Sequence, residues 1–161
     1  MNKEEKIIQL VTAGIKSIQV INEYAPGKKY ETDIGLYYQE WLDRINPEST
    51  KEVIELRDIS GSPSDEQEPI QTEHLDLQFA VAVKKGSTTA AYLRQVKADI
   101  YRMIGANIDN WRAAVDASLY PQRGEWEKDI QHEKEIIGTL VLTITISYVQ
   151  EQWLTNEPDY T

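Results

Sequence analysis

Twelve residues near the C-terminus, GTLVLTITISYV at positions 138–149, alternate between two kinds of side chain almost without exception. Every second position holds a large apolar side chain: Leu140, Leu142, Ile144, Ile146 and Tyr148. The positions between them hold small or β-branched side chains without charge. A two-residue repeat is typical of a β-strand with one buried face. The segment therefore predicts a strand over 137–149 that has one apolar face and one flat, nearly neutral face.

The same alternation occurs twice upstream of this segment. HLDLQFAVAVK at 74–84 separates large apolar side chains from Asp76, Gln78, Ala80 and Ala82, which predicts a second strand. KEVIELRDI at 51–59 alternates less regularly and also predicts a strand. Three such segments predict a sheet that needs a covering layer on its apolar side.

Two segments have the three-and-four spacing of an amphipathic helix. The first covers 3–22 and is expected to end before APGKK at 25–29, because proline cannot continue the backbone ladder. The second covers 89–105, with Gly105 as its expected C-terminal stop. Between the first helix and the first strand, DIGLYYQEWL fits either a short strand at 34–39 or a short helix.

The order helix, two or three strands, helix, strand predicts an α+β fold. We expect a largely antiparallel four-stranded sheet, with a mixed sheet as the alternative, and two main helices packed on one face. Residues 1–161 are expected to form a single domain. Within it we expect a mobile acidic loop at 60–73, an irregular segment at 106–135 and an extended C-terminal tail at 150–161.

The chain is acidic, with a formal net charge of −10 over 161 residues. The charge is uneven, since residues 31–70 hold eleven acidic and three basic residues. Nucleic-acid binding requires clustered Lys and Arg, and the sequence contains no such run. Two interpretations stay open: the acidity serves solubility, or it forms a surface that does not adsorb DNA passing close by.

Nothing in the sequence resembles a catalytic or metal-binding motif. There is no cysteine, and the phosphate-binding, dinucleotide-binding and serine-nucleophile patterns are absent. His132 and Glu133 begin a zinc-like motif that fails because position 136 is isoleucine, and His74 stands alone. We therefore expect no enzyme, no catalytic residues, no cofactor and no metal. Asp99 is expected to pair with Arg102 or to be exposed.

Targeting signals are absent as well. MNKEEKIIQL has acidic residues beside its lysines, unlike a signal peptide, and no apolar run approaches the ~18 residues of a membrane span. We expect synthesis in the cytoplasm and no membrane contact.

The neutral strand face is the best candidate for an interaction surface. Monomeric proteins usually protect an exposed sheet with charged side chains, whereas these positions are small. Either the face is simply solvated, or it packs against another layer or subunit. Trp111 and Trp126 fit the core or an interface equally well, whereas the position of Trp153 favours an interface. The candidate assembly residues are Ala80, Ala82, Thr143, Thr145, Ser147 and Trp153.

Four stretches, in this order, resemble the tail terminator and minor tail completion proteins of long-tailed phages, the lambda tail terminator-like family. VIELRDISGSPSDE is similar to that family's second strand and acidic loop, and HLDLQFAVAV to its long middle strand. LRQVKADIYRMI resembles its helix, and LVLTITISYV with the following NEPDY resembles its closing strand and tail. The likeness covers residues 3–158. The chain departs from it at STKEV, where the family has a proline, and over 106–135.

The resemblance implies a ring-forming subunit, commonly a hexamer, that caps the tail tube and joins the tail to the head. Its partners would be further copies, the tail-tube protein and head–tail connector proteins, and its place would be the tail of the virion. DNA would pass without specific binding, and Asp65, Glu66 and Glu68 of the acidic loop would repel it. The alternatives are another head–tail connector, a tail-tube subunit or a small non-catalytic protein-binding module.

Overall fold

The structure is a computed structural model that describes residues 1–41, 52–64, 69–132, 134–155 and 158–160. Over these residues it has an α+β fold with two α-helices, α1 (Lys3–Lys16) and α2 (Thr89–Ala114). The strands are β1 (Glu23–Ala25), β2 (Lys28–Lys29), β3 (Glu52–Pro63), β4 (Ile70–Val83), β5 (Tyr120–His132) and β6 (Ile136–Glu151).

The four long strands form one antiparallel sheet in the order β3-β4-β6-β5. Its centre is the β4–β6 pair, whose register runs from Ile70 opposite Glu151 to Val83 opposite Gly138. The predicted α+β class and the antiparallel four-stranded sheet are confirmed, and the mixed alternative is wrong. β1 and β2 form a separate hairpin in which Gly27 has a φ of 73°, a conformation that glycine adopts without strain.

The alternating residues of β4 and β6 form the core together with both helices. One buried cluster joins the apolar side of these strands to side chains of α1 and α2. Burying each such side chain contributes roughly 1.5–3 kcal/mol. The helical contributors to this cluster are Ile7, Val11 and Ile15 of α1 and Leu93, Val96, Ile100 and Met103 of α2.

Helix α1 is shorter than predicted. Asn2 caps it by accepting a hydrogen bond from the Glu5 amide at 2.8 Å. It ends at Lys16 rather than at residue 22, although Ile18 beyond it is fully buried. The apolar spacing that predicted a helix over 3–22 extends past the end of α1, because the turn after the helix also buries an apolar side chain in the core. DIGLYYQEWL contains the 3₁₀ helix Ile34–Tyr37, which confirms the short-helix alternative.

Helix α2 and strand β5 correct the predicted irregular segment at 106–135. Helix α2 passes through Gly105 and ends at Ala114. A glycine inside a helix costs only about 1 kcal/mol, and burial of Trp111, 3% exposed, offsets that cost. Strand β5 follows from 120 to 132. It lies at the sheet edge with mostly exposed side chains, so it lacks the apolar alternation that reveals a central strand.

Parts of the predicted loop and tail belong to the sheet instead. Strand β3 is paired through Pro63 and strand β4 from Ile70, so residues 60–63 and 70–73 belong to the sheet. Within the predicted tail 150–161, Asp159 and Tyr160 lie against the N-terminus. The Tyr160 amide donates to the Met1 carbonyl at 3.1 Å, and the Met1 amino group lies 2.7 Å from Asp159 Oδ1.

Asp116 joins the α2–β5 turn to β6 and α1. The Ser118 hydroxyl donates to it, as do the amides of Ser118 at 2.7 Å and Val149 at 2.9 Å, and Lys3 Nζ lies 3.8 Å away. Burial by itself raises the pKa of Asp116, but these hydrogen bonds and the charge of Lys3 outweigh it and lower the pKa below its usual value.

We expect Asp116→Asn to lower the free energy of unfolding at pH 7 by about 1–3 kcal/mol, because the hydrogen bonds to a charged group weaken. A carboxylate with a lowered native pKa stabilises the fold above its unfolded pKa, near 3.8, and loses that effect as the pH falls through the native pKa. Urea unfolding should therefore show the wild-type advantage shrinking below pH 3.8. Asp109→Asn is the control, since that side chain is 93% exposed. An equal loss in both variants would contradict the role of Asp116.

Candidate functional site

The side of the sheet opposite the core, here called the open face, contains five of the six predicted assembly residues. Thr143, Thr145 and Ser147 are half-buried on β6, beside half-buried Ala82 and the 8% exposed Ala80 on β4. The structure therefore brings these five together.

The other predicted residues lie elsewhere. Trp153 follows the end of β6 and is 76% exposed. Asp65, Glu66 and Glu68 lie outside the described residues. Assembly through the open face and Trp153, and repulsion of DNA by the loop, stay predictions.

Hydroxyl groups on the open face connect neighbouring strands. Thr145 Oγ1 donates to Asp76 Oδ1 at 2.6 Å, and Ser60 Oγ donates to Asp76 Oδ2 at 2.9 Å. Ser147 Oγ lies 2.7 Å from His74 Nδ1. A serine next to an imidazole is the geometry of an activated nucleophile, but both oxygens of Asp76 are engaged by hydroxyls instead of orienting His74. The arrangement links β3, β4 and β6 and resembles no catalytic triad.

The border strands add charge to the open face that the sequence alone did not place there. On β3, the Glu55 and Arg57 side chains form an ion pair of 2.7 Å. On β5, Glu127 and Asp129 stand opposite Val141 and Thr139. The expected nearly neutral face is correct only for the central strip. A shallow depression of about 310 Å³ lies over the β5 side and is lined by Gln78, Glu125, Trp126, Glu127, Val141 and Thr143.

A second polar group lies where β3 begins, and its members satisfy one another. The Tyr92 hydroxyl donates to Glu52, which is 6% exposed, and Lys85 Nζ lies 3.0 Å from the other carboxylate oxygen. Burial and then the Glu52 carboxylate raise the pKa of Tyr92, so the phenol stays protonated and remains a donor. This group ties β3 to the start of α2.

Four cations lie along the core side of the β5 border, and we call them the basic edge: Arg94, Lys97, Arg123 and Lys128. Lys97 Nζ lies 3.7 Å from the centre of the Trp126 ring, and Arg123 Cζ lies 3.7 Å from that of Tyr101. Within the described ranges, no carboxylate forms an ion pair with any of the four.

Three cations of the basic edge, Arg94, Lys97 and Lys128, lie close enough for their charges to interact. Burial lowers the pKa of Lys128, and the charges of Lys97 and Arg94 lower it further. The sequence shows no such cluster because α2 and β5 contribute two cations each from stretches about thirty residues apart.

Three carboxylates gather at the opposite border of the sheet, and we call them the acidic edge: Glu4, Asp58 and Glu73. They surround a depression of about 220 Å³ between α1 and the β3–β4 pair. Partial burial raises the pKa of Glu4, and the charges of Asp58 and Glu73 raise it further. In the part of the chain that the structure describes, none of the three has an ion-pair partner, and no group of histidine, cysteine or acidic side chains has an arrangement that could hold a metal ion.

No protein-family model matches the chain, and no curated protein matches it. Among the described residues, no helix is both long and apolar enough to cross a bilayer. The described features that could serve an interaction are the open face and the two oppositely charged borders of the sheet.

Proposed function

We propose that this chain is a structural subunit of the tail of a long-tailed phage or prophage. It forms a ring with further copies, caps the tail tube and joins the tail to the head. The resemblance of four stretches to the tail terminator family supports this function. The observation that carries it is the sheet itself, whose β6 side chains on the open face remain half-buried whereas those on the core face are almost fully buried.

The two borders of the sheet favour a ring over a two-fold dimer. One border carries four cations that form no ion pair with any described residue, and the other carries three carboxylates, so the borders differ in charge. An interface between two different surfaces repeats from copy to copy and closes into a ring when the rotation allows it. We assign to contacts within this assembly the open face and the exposed tryptophan that follows β6: Ala80, Ala82, Thr143, Thr145, Ser147 and Trp153.

The net charge of −10 suits a passage for DNA. Repeated around a ring, it makes a negative annulus that lowers the adsorption of phosphate backbones. Asp65, Glu66 and Glu68 are the acids that we propose to face the DNA. The further partners in this proposal are the tail-tube protein and the head–tail connector proteins. The protein would be made in the host cytoplasm and would become part of the virion tail, where its role is non-enzymatic.

Light scattering on the purified chain, followed by negative-stain electron microscopy, tests this function. We expect a closed ring with a central hole, commonly of six subunits, that becomes more populated as the concentration rises. A monomer that persists up to the highest attainable concentration would contradict the proposal and favour a small protein-binding module. A ring that stacks into long tubes would instead favour a tail-tube subunit.

A further inference from the structure

The basic and acidic edges lie on the same side of the sheet but at opposite borders. Lys128 and Arg123 of β5 stand opposite Leu140 and Ile144, whose side chains are buried in the core. Asp58 of β3 stands opposite Leu77, which is also buried. By the same register, Glu73 stands opposite the buried Tyr148. In a strand, positions that share a face share a side of the sheet, so both edges lie on the core side.

Each edge is a concentration of like charge that the described chain leaves uncompensated. Unpaired like charges in proximity repel one another, and an oppositely charged surface relieves that repulsion. The aromatic rings of Trp126 and Tyr101 hold Lys97 and Arg123 in place. Less side-chain entropy is therefore lost when these cations meet a partner.

A second copy of this chain fits the basic edge better than a nucleic acid does. The whole chain carries −10, so the chain without its four edge cations carries −14. A long phosphate backbone that reached the basic edge would meet repulsion from this remainder. The acidic edge of another copy brings three carboxylates to the contact. Most of the negative charge of that copy then lies away from the contact.

We propose that the basic edge of one copy docks against the acidic edge of the next, head to tail, and that this contact is the lateral interface of the ring. The inference rests on the ring-forming function proposed above and names the surfaces that build the ring.

The strands that border the sheet permit this contact. The side chains of β3 are exposed from Asp58 to Pro63, whereas its earlier part is covered at Ile54 by Tyr38 and Gln39. Since the strands alternate in direction across the sheet, β5 of one copy lies antiparallel to β3 of the next when the two sheets share an orientation.

The contact also requires a stagger between copies. Arg123 lies at the level of Asp58 across the sheet, because β6 pairs Ile144 with Leu77. The acidic edge extends from that level towards Pro63, and the basic edge extends in the other direction. The next copy must therefore be displaced along the strands by about four to five residues, roughly 15 Å at about 3.3 Å per residue. A fixed stagger between neighbours is the geometry by which sheets close around an axis.

Charge reversal tests the contact. The first variant combines Arg94→Glu, Lys97→Glu and Lys128→Glu, which makes the basic edge negative. The second combines Glu4→Lys, Asp58→Lys and Glu73→Lys, which makes the acidic edge positive. Each alone should weaken self-association at least about tenfold in sedimentation velocity, because like charges then face each other. Lys28→Glu with Lys29→Glu, on the exposed hairpin strand β2, is the control and should assemble as the wild type does.

Mixing the two variants in equal amounts should restore rings, with the two kinds of subunit in alternation. Negative-stain images and light scattering of the mixture report this directly. Thermal unfolding checks that each variant is folded. If a triple variant does not fold, Arg94→Gln with Lys97→Gln replaces it and should still weaken association several-fold and increase its salt sensitivity.

The results separate this inference from the proposed function. Wild-type rings together with unchanged assembly of the charge variants, or no rescue on mixing, overturn the edge contact and leave the ring function standing. A wild type that stays monomeric overturns both. Fluorescence anisotropy with duplex DNA tests whether the basic edge binds nucleic acid instead. If the Arg94 and Lys97 substitutions abolish DNA binding while rings persist, the basic edge is a nucleic-acid surface and the inference is wrong.

Discussion

Asp99→Ala should lower the free energy of unfolding by about 3–5 kcal/mol, because it removes the centre of a buried hydrogen-bond network. Asp99 is fully buried on α2, and its Oδ2 accepts from the Thr32 amide at 2.8 Å and the Thr32 hydroxyl at 2.7 Å. The Glu31 amide and Arg102 Nη1, at 2.9 Å, also donate to the carboxylate. Without the carboxylate, these donors lose their acceptor inside the protein, and a buried donor left without a hydrogen bond costs free energy.

Guanidinium-induced unfolding measures this loss, and two variants define its origin. Asp109→Ala lies on the same helix, its side chain is 93% exposed, and it should change stability by less than about 0.5 kcal/mol. Asp99→Asn keeps one acceptor oxygen and should fall between wild type and alanine. A loss at Asp99 no larger than that at Asp109 would show that the network does not anchor residues 30–33 to α2.

The second large effect concerns Gly35, where the backbone of the 3₁₀ helix packs directly on the end of α1. A Cβ at this position would lie 2.8 Å from the Ile18 carbonyl oxygen and 2.9 Å from that of Lys16, and closer still to that of Ile15. The Gly35 amide donates to the Ile18 carbonyl at 3.0 Å, so the two segments cannot separate without losing that bond. We expect Gly35→Ala to lower the free energy of unfolding by about 3 kcal/mol or more.

Gly105→Ala is the matched substitution with the opposite expectation. Apart from the backbone of its own helix, no described atom lies within 4 Å of a Cβ built at this glycine, which is exposed within α2. Alanine favours the helix and restricts the unfolded chain, so stability should rise by about 0.5–1 kcal/mol. Urea unfolding of both variants tests the difference. Similar effects at the two positions would contradict the close approach at Gly35.

The central sheet was predictable because burial imposes a strict period on a strand. β4 and β6 lie in the middle of the sheet with one side in the core, so one apolar side chain in every two is required, and the sequence shows it. The same reasoning located both helices, since each buries a stripe at helical spacing. The predicted ends of the helices were less accurate. In α1 the apolar pattern does not stop at Lys16, and in α2 it does not continue clearly through Gly105 to Trp111.

Strand β5 was missed for the opposite reason. An edge strand with most side chains in water is under no pressure to alternate apolar and polar residues. Its charges instead divide between the two sides of the sheet, with Glu127 and Asp129 on the open face and Lys128 on the core side. The side of the sheet on which each charge lies can be assigned only once the pairing of β5 with β6 is known.

The sequence by itself determined the elements that bury apolar surface, because their spacing is a local property of the chain. Tertiary structure alone decided which charges meet. Asp99 was expected to pair with Arg102 or to be exposed. The pair forms, but the exposed alternative is wrong, because Asp99 is buried under Glu31 and Thr32, a segment almost seventy residues away. The basic and acidic edges arise in the same way. Electrostatic interactions act through space over a few ångströms, and the distances between charges are set only by the folded structure.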